Sequence, residues 1–234
     1  MASDPAGHAR RDARRERWRR PLATKQDRLA AWASLMLTDH GVLRLFYRNR
    51  HQVSERLWRS AQPAPSDLAF AARRGIRTVL SLRSDGFGGD LLEREACQQY
   101  GLAFERLVLY SRGAPPRETL REAMARFPKL EPPVLLHCKS GADRAGLGAA
   151  LYLMIAEEVP AKTAMAQLSP RYGHIKSART GILDAFFEAY VAAGAEAAMP
   201  FCEWVETIYD PEALTKSFVP TALSDALLAL MRRE

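Results

Sequence analysis

The order of elements along this 234-residue chain predicts an α/β fold, with a central, mainly parallel sheet of about four to five strands flanked by helices. Three observations carry that expectation. Short runs rich in β-branched and apolar residues alternate with helical stretches. Glycine or proline punctuates the junctions, at Gly75, Gly101, Pro115-Pro116 and Pro132-Pro133. The most apolar strand, Val134-Leu135-Leu136, runs directly into a polar, glycine-bearing segment that is followed by a helix.

Taken in order, residues 1 to about 20 are rich in Arg, Ala and Asp without apolar periodicity and read as a frayed basic tail. Pro21 suits a first helical position. The helix it opens is expected to reach Leu37, with Leu22, Leu29, Trp32 and Met36 on one face, Lys25 intruding, and Gly41 closing the stretch. Residues 56–59 form a short strand entering Ser60-Ala61-Gln62-Pro63. Ser66 is the expected N-cap of a helix through Arg73. Residues 76–82 form a strand, and a Gly/Asp loop over 85–90 leads into a helix over 91–100. A strand over 104–109 and a helix over 115–127 precede the buried strand 134–136. Helices over 145–157, 161–168 and 181–192 follow, with two more near the C-terminus. The chain thus divides into a basic extension with an amphipathic helix (1–50) and one globular domain (51–234).

Charge follows the same division. The chain holds 34 Lys/Arg and 27 Asp/Glu; residues 1–50 hold 12 and 5 of these, leaving 22 of each beyond. The net positive charge belongs to the extension. Either its helix packs on the domain, or residues 10–37 lie on an anionic membrane surface. No nucleic-acid motif or aromatic stacking platform accompanies the arginines, so a nucleic-acid partner is not expected. No run approaches the roughly 18–20 apolar residues of a membrane-spanning helix. The short apolar stretch 29–37 lacks a cleavage pattern, which points to a cytoplasmic protein, peripheral on the inner face of the membrane in the second case. Cys97, Cys138 and Cys202 have neither disulfide-framework nor zinc-site spacing, which fits a reducing compartment.

The chemistry concentrates in His137-Cys138-Lys139-Ser140-Gly141-Ala142-Asp143-Arg144-Ala145-Gly146. This segment lies at the carboxyl end of a buried strand, where open α/β sheets place ligands. Its backbone N–H groups and the amino end of the next helix can wrap a phosphate. Gly141 permits the curl; Lys139, Ser140 and Ala142 complete the loop. Arg144 supplies a planar fork for two phosphate oxygens. The same positive surroundings favour a thiolate at Cys138, a nucleophile able to attack a phosphate whose charge the donors neutralise.

These residues resemble the protein tyrosine phosphatase superfamily, whose signature is His-Cys-x5-Arg, and are most similar to bacterial members of its dual-specificity branch. The resemblance extends through Arg59-Ser60-Ala61-Gln62-Pro63 and Leu82-Arg83, covering roughly residues 55–190. It implies a cysteine-phosphatase type of α/β fold and a cytoplasmic phosphomonoester hydrolase that works through a cysteinyl-phosphate intermediate, needing neither metal nor cofactor. Cys138 is then the nucleophile and Arg144 the phosphate clamp, with His137 tuning the cysteine or simply ending the strand.

Two departures stand out. The stretch Leu109 to Pro115, where the family carries an aspartate acid, has no Asp or Glu, and Ala145 replaces the usual Ser or Thr. Asp143 is the first alternative acid, since myotubularins and Sac domains place an aspartate likewise. A carboxyl beside bound phosphate has a raised pKa and can protonate a leaving group; equally, Asp143 can pair with a basic neighbour and shape the loop. Asp85 and Asp90 are weaker alternatives. Arg112, Arg171 and His174, the last two in a loop with Lys176, are candidates for substrate contact or ordinary loop residues. The substrate is expected to be a phosphorylated lipid or glycolipid such as lipid A, or else a phosphoprotein. An idle phosphate-binding module is the remaining reading.

Overall fold

A computed structural model of the chain describes residues 16–197 and 199–220. The expectations made for residues 1–15, most of the tail and the start of the membrane-facing stretch, lie outside the described residues.

Five strands form one sheet in the order β1-β2-β5-β3-β4: β1 (His51–Gln52), β2 (Leu57–Ser60), β3 (Thr78–Ser81), β4 (Ala103–Arg106) and β5 (Val134–His137). All neighbours are parallel except β1 with β2. The predicted α/β class and mainly parallel sheet therefore hold. The two-residue β1, too short to carry a pattern, is the strand that the sequence did not reveal.

The central strands β3 and β5 are buried at every position. Alternation sends their side chains to opposite faces. Val79 and Leu135 join Leu68, Ala71, Ala96 and Cys97 from α3 (Pro65–Arg73) and α4 (Gly88–Tyr100). Leu80, Val134 and Leu136 face the larger core under α5 (Arg117–Arg126), α6 (Asp143–Ala156), the short α7 (Ala161–Ala164) and α8 (Ile182–Ala197). The short α9 (Phe201–Thr207) and α10 (Pro211–Ser217) are the two helices expected near the C-terminus.

Several boundaries differ from expectation for local reasons. The first helix, α1, is Lys25–Ala33, because Thr24 and Asp27 form a reciprocal capping box that excludes Pro21. It continues as a π-turn (Ser34–Thr38), and Gly41 opens a second short helix, α2 (Gly41–Phe46), instead of ending the first. Pro65 starts α3, and the Asp67 carboxylate caps the Ala64 N–H at 3.1 Å, so Ser66 is not the N-cap. The expected buried face holds in part: Leu22 is buried and Trp32 and Met36 pack against the same cluster, but Leu29 is 72% exposed, and Ala31 and Leu35 pack at the centre with Trp18, Leu22 and Leu92. The cause lies on α4: Gly88 and Gly89 leave room for Ala31 and Leu35 to approach its backbone closely. Trp18 is buried in the same cluster, so packing on the domain already includes a residue before Pro21. Arg28 pairs with Glu95 of α4 at 3.0 Å, which places α1 against the domain.

Candidate active site

Register puts Ser60 of β2 and Ser81 of β3 beside His137 on either side. The segment 138–142 therefore leaves the centre of the sheet at its carboxyl end, and α6 begins at Asp143. Gly141 has φ +74° and donates its N–H to Cys138 Sγ at 3.2 Å. A Cβ at this position would meet Ala61 N at 2.6 Å and Ser60 C at 2.8 Å, so both backbone conformation and space require glycine.

The loop carbonyls are each held from outside. Gln62 N–H donates to Lys139 O at 3.2 Å, and Asn49 Nδ2 donates to Ser140 O at 3.1 Å. Arg59 Nη2 donates to Gly141 O and Ala142 O, both at 2.9 Å. With four successive carbonyls engaged by these outer partners, the positive ends of the loop's peptides are left for the inner side, where the Cys138 sulfur already accepts one N–H.

Arg59 is fully buried, donates also to Gln167 O (2.6 Å) and Oε1 (2.9 Å), and lies 3.9 Å over the Tyr172 ring. Burial pulls its pKa down to about 10, partly offset by the Cys138 charge, so it stays cationic at neutral pH. Arg44 of α2 is a second cation within electrostatic reach of Cys138, and burial lowers its pKa also. It is anchored on Asp39 at 2.8 Å, and Arg83 grips the same carboxylate at 2.7 and 2.8 Å. Burial alone would raise the Asp39 pKa; hydrogen bonds and charge from Arg83, with Arg44, hold it below the usual carboxylate range.

Among the candidates named from sequence, Cys138 is buried and Lys139, Ser140 and Arg144 are half-buried on or beside the loop. His137 is fully buried, with Nε2 2.6 Å from Glu93 Oε1 in an orientation short of a good hydrogen bond. Glu93 Oε2 accepts from Gln62 Nε2 at 2.9 Å, and Gln62 Oε1 accepts from Arg83 at 2.9 Å. Asp143 Oδ1 lies 2.8 Å from His174 Nδ1, and His174 Nε2 lies 2.6 Å from Asp184 Oδ2. The substrate-contact reading of His174 is thereby corrected: it is 1% exposed, sealed between two carboxylates. Asp90 is also buried, paired with Arg106. Arg112 and Arg171 are exposed, as is Asp85 on the loop that leaves β3 at this same end of the sheet. Among the described residues no cluster of three or more His, Cys, Asp or Glu is arranged to hold a metal ion.

Sequence reasoning named Arg59 and Gln62 as part of the stretch that carries the resemblance, and passed over Asn49, Glu93 and Asp184. The contacts Asn49–Tyr172, Gln62–Glu93 and His174–Asp184 span 123, 31 and 10 residues, and no local motif announces them.

A family model described as tyrosine phosphatase family matches residues 90–211, just over half of the chain. The structure of TpbA from P. aeruginosa is 25% identical, with 65% of this chain and 91% of that one covered at a TM-score of 0.49. The DUF442 protein of Shewanella putrefaciens is 21% identical, with 65% and 95% covered at a TM-score of 0.51, a likeness of fold. No curated protein matches the chain.

The His174 pKa makes a prediction about stability. Burial works to lower it, but hydrogen bonds and charge from Asp143 and Asp184 outweigh burial and raise it. A folded-state value above the unfolded value of about 6.5 means that this group stabilises the fold fully below that pH. The contribution is lost as pH climbs through the folded value. Urea unfolding should therefore show stability declining above about pH 6.5, with the decline reduced in His174→Asn. An identical pH dependence in both proteins would contradict the assignment.

Proposed function

The chain belongs to the tyrosine phosphatase family, and on that premise we propose that it hydrolyses phosphomonoesters through a cysteinyl-phosphate intermediate. The observation that carries this reading is the Gly141 N–H on the Cys138 sulfur, inside a loop whose four carbonyls are held outward. A phosphate seated there meets N–H dipoles and the Arg144 guanidinium, and its phosphorus faces the sulfur. The Cys138 thiolate forms the S–P bond as the P–O ester bond breaks, and the leaving oxygen takes a proton from an acid. Water then attacks phosphorus, the thiolate leaves, and inorganic phosphate is released. Lys139, Ser140, Gly141 and Ala142 form the cradle, and His137 supports the cysteine from beneath.

For the acid, Asp143 has one carboxylate oxygen on His174, and Asp90 is buried against Arg106. Asp85, exposed where β3 ends beside the loop, is the carboxyl we assign to protonating the leaving group, with Asp143 as a positioning residue. Arg112 and Arg171, both exposed, are proposed to contact the remainder of the substrate.

The substrate we favour is a phosphorylated lipid or glycolipid. Leu37, Val42, Phe46 and Tyr47 are exposed on the segment that also carries Arg44, and residues 1–50 hold the chain's net positive charge. An apolar, basic rim of this kind suits an anionic membrane surface. The inner face of α1 is already occupied by the domain, so this rim, rather than that face, would meet lipid. No described helix is long and apolar enough to cross a membrane. A cytoplasmic protein bound peripherally to the inner leaflet fits these features. Ala145, fully buried, favours the second reading of an idle phosphate binder, because no hydroxyl is present there to assist release of the sulfur.

Turnover of an aryl phosphate separates these readings: wild-type activity that vanishes in Cys138→Ser supports catalysis, and no activity in either supports the binder. Aryl leaving groups need little protonation. Asp85→Asn should therefore reduce kcat on alkyl phosphates by about 100-fold, within the range of general acid catalysis, and on aryl phosphates far less. Equal losses on both would remove Asp85 from the acid role.

Sedimentation with vesicles tests the membrane surface. Binding should require anionic lipid, weaken with salt, and decrease in Phe46→Ser. Equal binding to neutral and anionic vesicles would contradict it.

A further inference from the structure

The loop carrying His174 is tied to the cysteine-bearing loop by two bridging side chains and one direct contact. Asn49 Nδ2 donates to Tyr172 O at 2.9 Å as well as to Ser140 O at 3.1 Å. Arg59 bonds Gln167 and stacks on Tyr172 while it holds the carbonyls of Gly141 and Ala142. The third connection is the buried row Asp143–His174–Asp184, with separations of 2.8 and 2.6 Å. It joins the first turn of α6 to the first turn of α8. Asp143 is the residue immediately before Arg144.

We propose that His174 is a positioning residue, a latch that fixes the Asp143–Arg144 turn in its anion-binding geometry only while both ring nitrogens donate to the flanking carboxylates. This rests on the reading of residues 138–144 as a phosphate loop.

A carboxylate oxygen faces each of the two ring nitrogens, and both can accept a hydrogen bond at once only from an imidazolium. A neutral ring has one N–H and one lone pair, so one carboxylate oxygen would confront a lone pair inside the protein. That arrangement is repulsive and costly where water is excluded. The charged groups around the ring come from each element packed on it. They are Asp143 from α6, Asp184 from α8 and, beyond them, Arg59 of β2, which interacts with Asp143. On the latch's own loop, Lys176 interacts with Asp184 and pairs with Glu188 of α8 at 2.5 Å. The raised pKa of His174 agrees with an imidazolium held between two anions. Loss of its proton would release the turn, and with it the grip of Arg144 on a dianion.

Replacing Asp184 by Asn changes the proton count without removing the contact. The amide can donate to a neutral ring or, after flipping, accept from a charged one, so either state of His174 satisfies Asp143 and residue 184. The experiment is the inhibition constant of tungstate, a dianion throughout the range, measured from pH 6 to pH 10 against aryl phosphate turnover. In the native protein, tungstate affinity should fall by about tenfold or more as pH rises through the His174 pKa. In Asp184→Asn that step should be absent or displaced toward lower pH, whatever the absolute rate. His174→Phe should bind tungstate weakly at every pH.

Superimposable pH profiles for native protein and Asp184→Asn would overturn the latch while leaving the phosphate loop intact. Native affinity in His174→Phe at pH 7 would do the same. Failure of tungstate to inhibit the native protein at any pH would overturn the phosphate-loop reading itself, and the latch with it.

Discussion

The buried guanidinium of Arg59 is the interaction on which the rest of the site depends. A loop that cradles an anion must turn several N–H groups inward, and the corresponding carbonyls then need partners on the outside. Arg59 supplies two of the four, for Gly141 and Ala142. Burying such a charge costs several kcal/mol unless its donors are satisfied. Here the Nη groups are met by two loop carbonyls and by the backbone and side chain of Gln167, and the plane by the face of Tyr172, while Nε finds no acceptor among the described residues. With a pKa of about 10 it remains charged under the cysteine at neutral pH. One residue at the end of β2 thus sets both the direction of the loop peptides and part of the field at the sulfur.

Around this centre the chain builds a frame from segments distant in sequence. Residues 39–50 contribute Asp39, Arg44 and Asn49; the turn after β2 contributes Gln62; the end of β3 contributes Arg83; α4 contributes Glu93. Asp39 organises two arginines, and Glu93 lies between Gln62 and His137. Ala61 N–H donates to Arg48 O at 2.9 Å, which ties the entry to the domain directly to the wall of the loop. Arg44 and Arg59 both lie within electrostatic reach of the sulfur, as the proposed attack on a phosphate dianion requires.

How much of this could be read in advance follows from how local each feature is. The alternation of strand and helix, the burial of Val134 to Leu136 and the loop from Cys138 to Arg144 each occupy one contiguous stretch, and all were legible. The start of α1 was legible but misread: Thr24-x-x-Asp27 is a capping signal, and it competes successfully with Pro21. The face that α1 buries was legible only in part: Leu22, Trp32 and Met36 follow from periodicity, whereas the close approach of Ala31 and Leu35 is decided by two glycines on α4, more than fifty residues later. Asn49 has φ +43° and bridges two loops, a role that depends wholly on tertiary placement. The Asp143 side chain illustrates the same boundary. Its place beside the arginine could be read from the loop, whereas its attachment to His174 depends on a turn 31 residues away.

Calorimetric titration of orthophosphate into Cys138→Ser, and into the same protein carrying Arg59→Gln, tests the central claim most directly. One site per chain in the first protein, weakened by about tenfold or more in the second at unchanged fold, is the predicted result. Equal affinity in the two proteins, or no binding to the first, would contradict it.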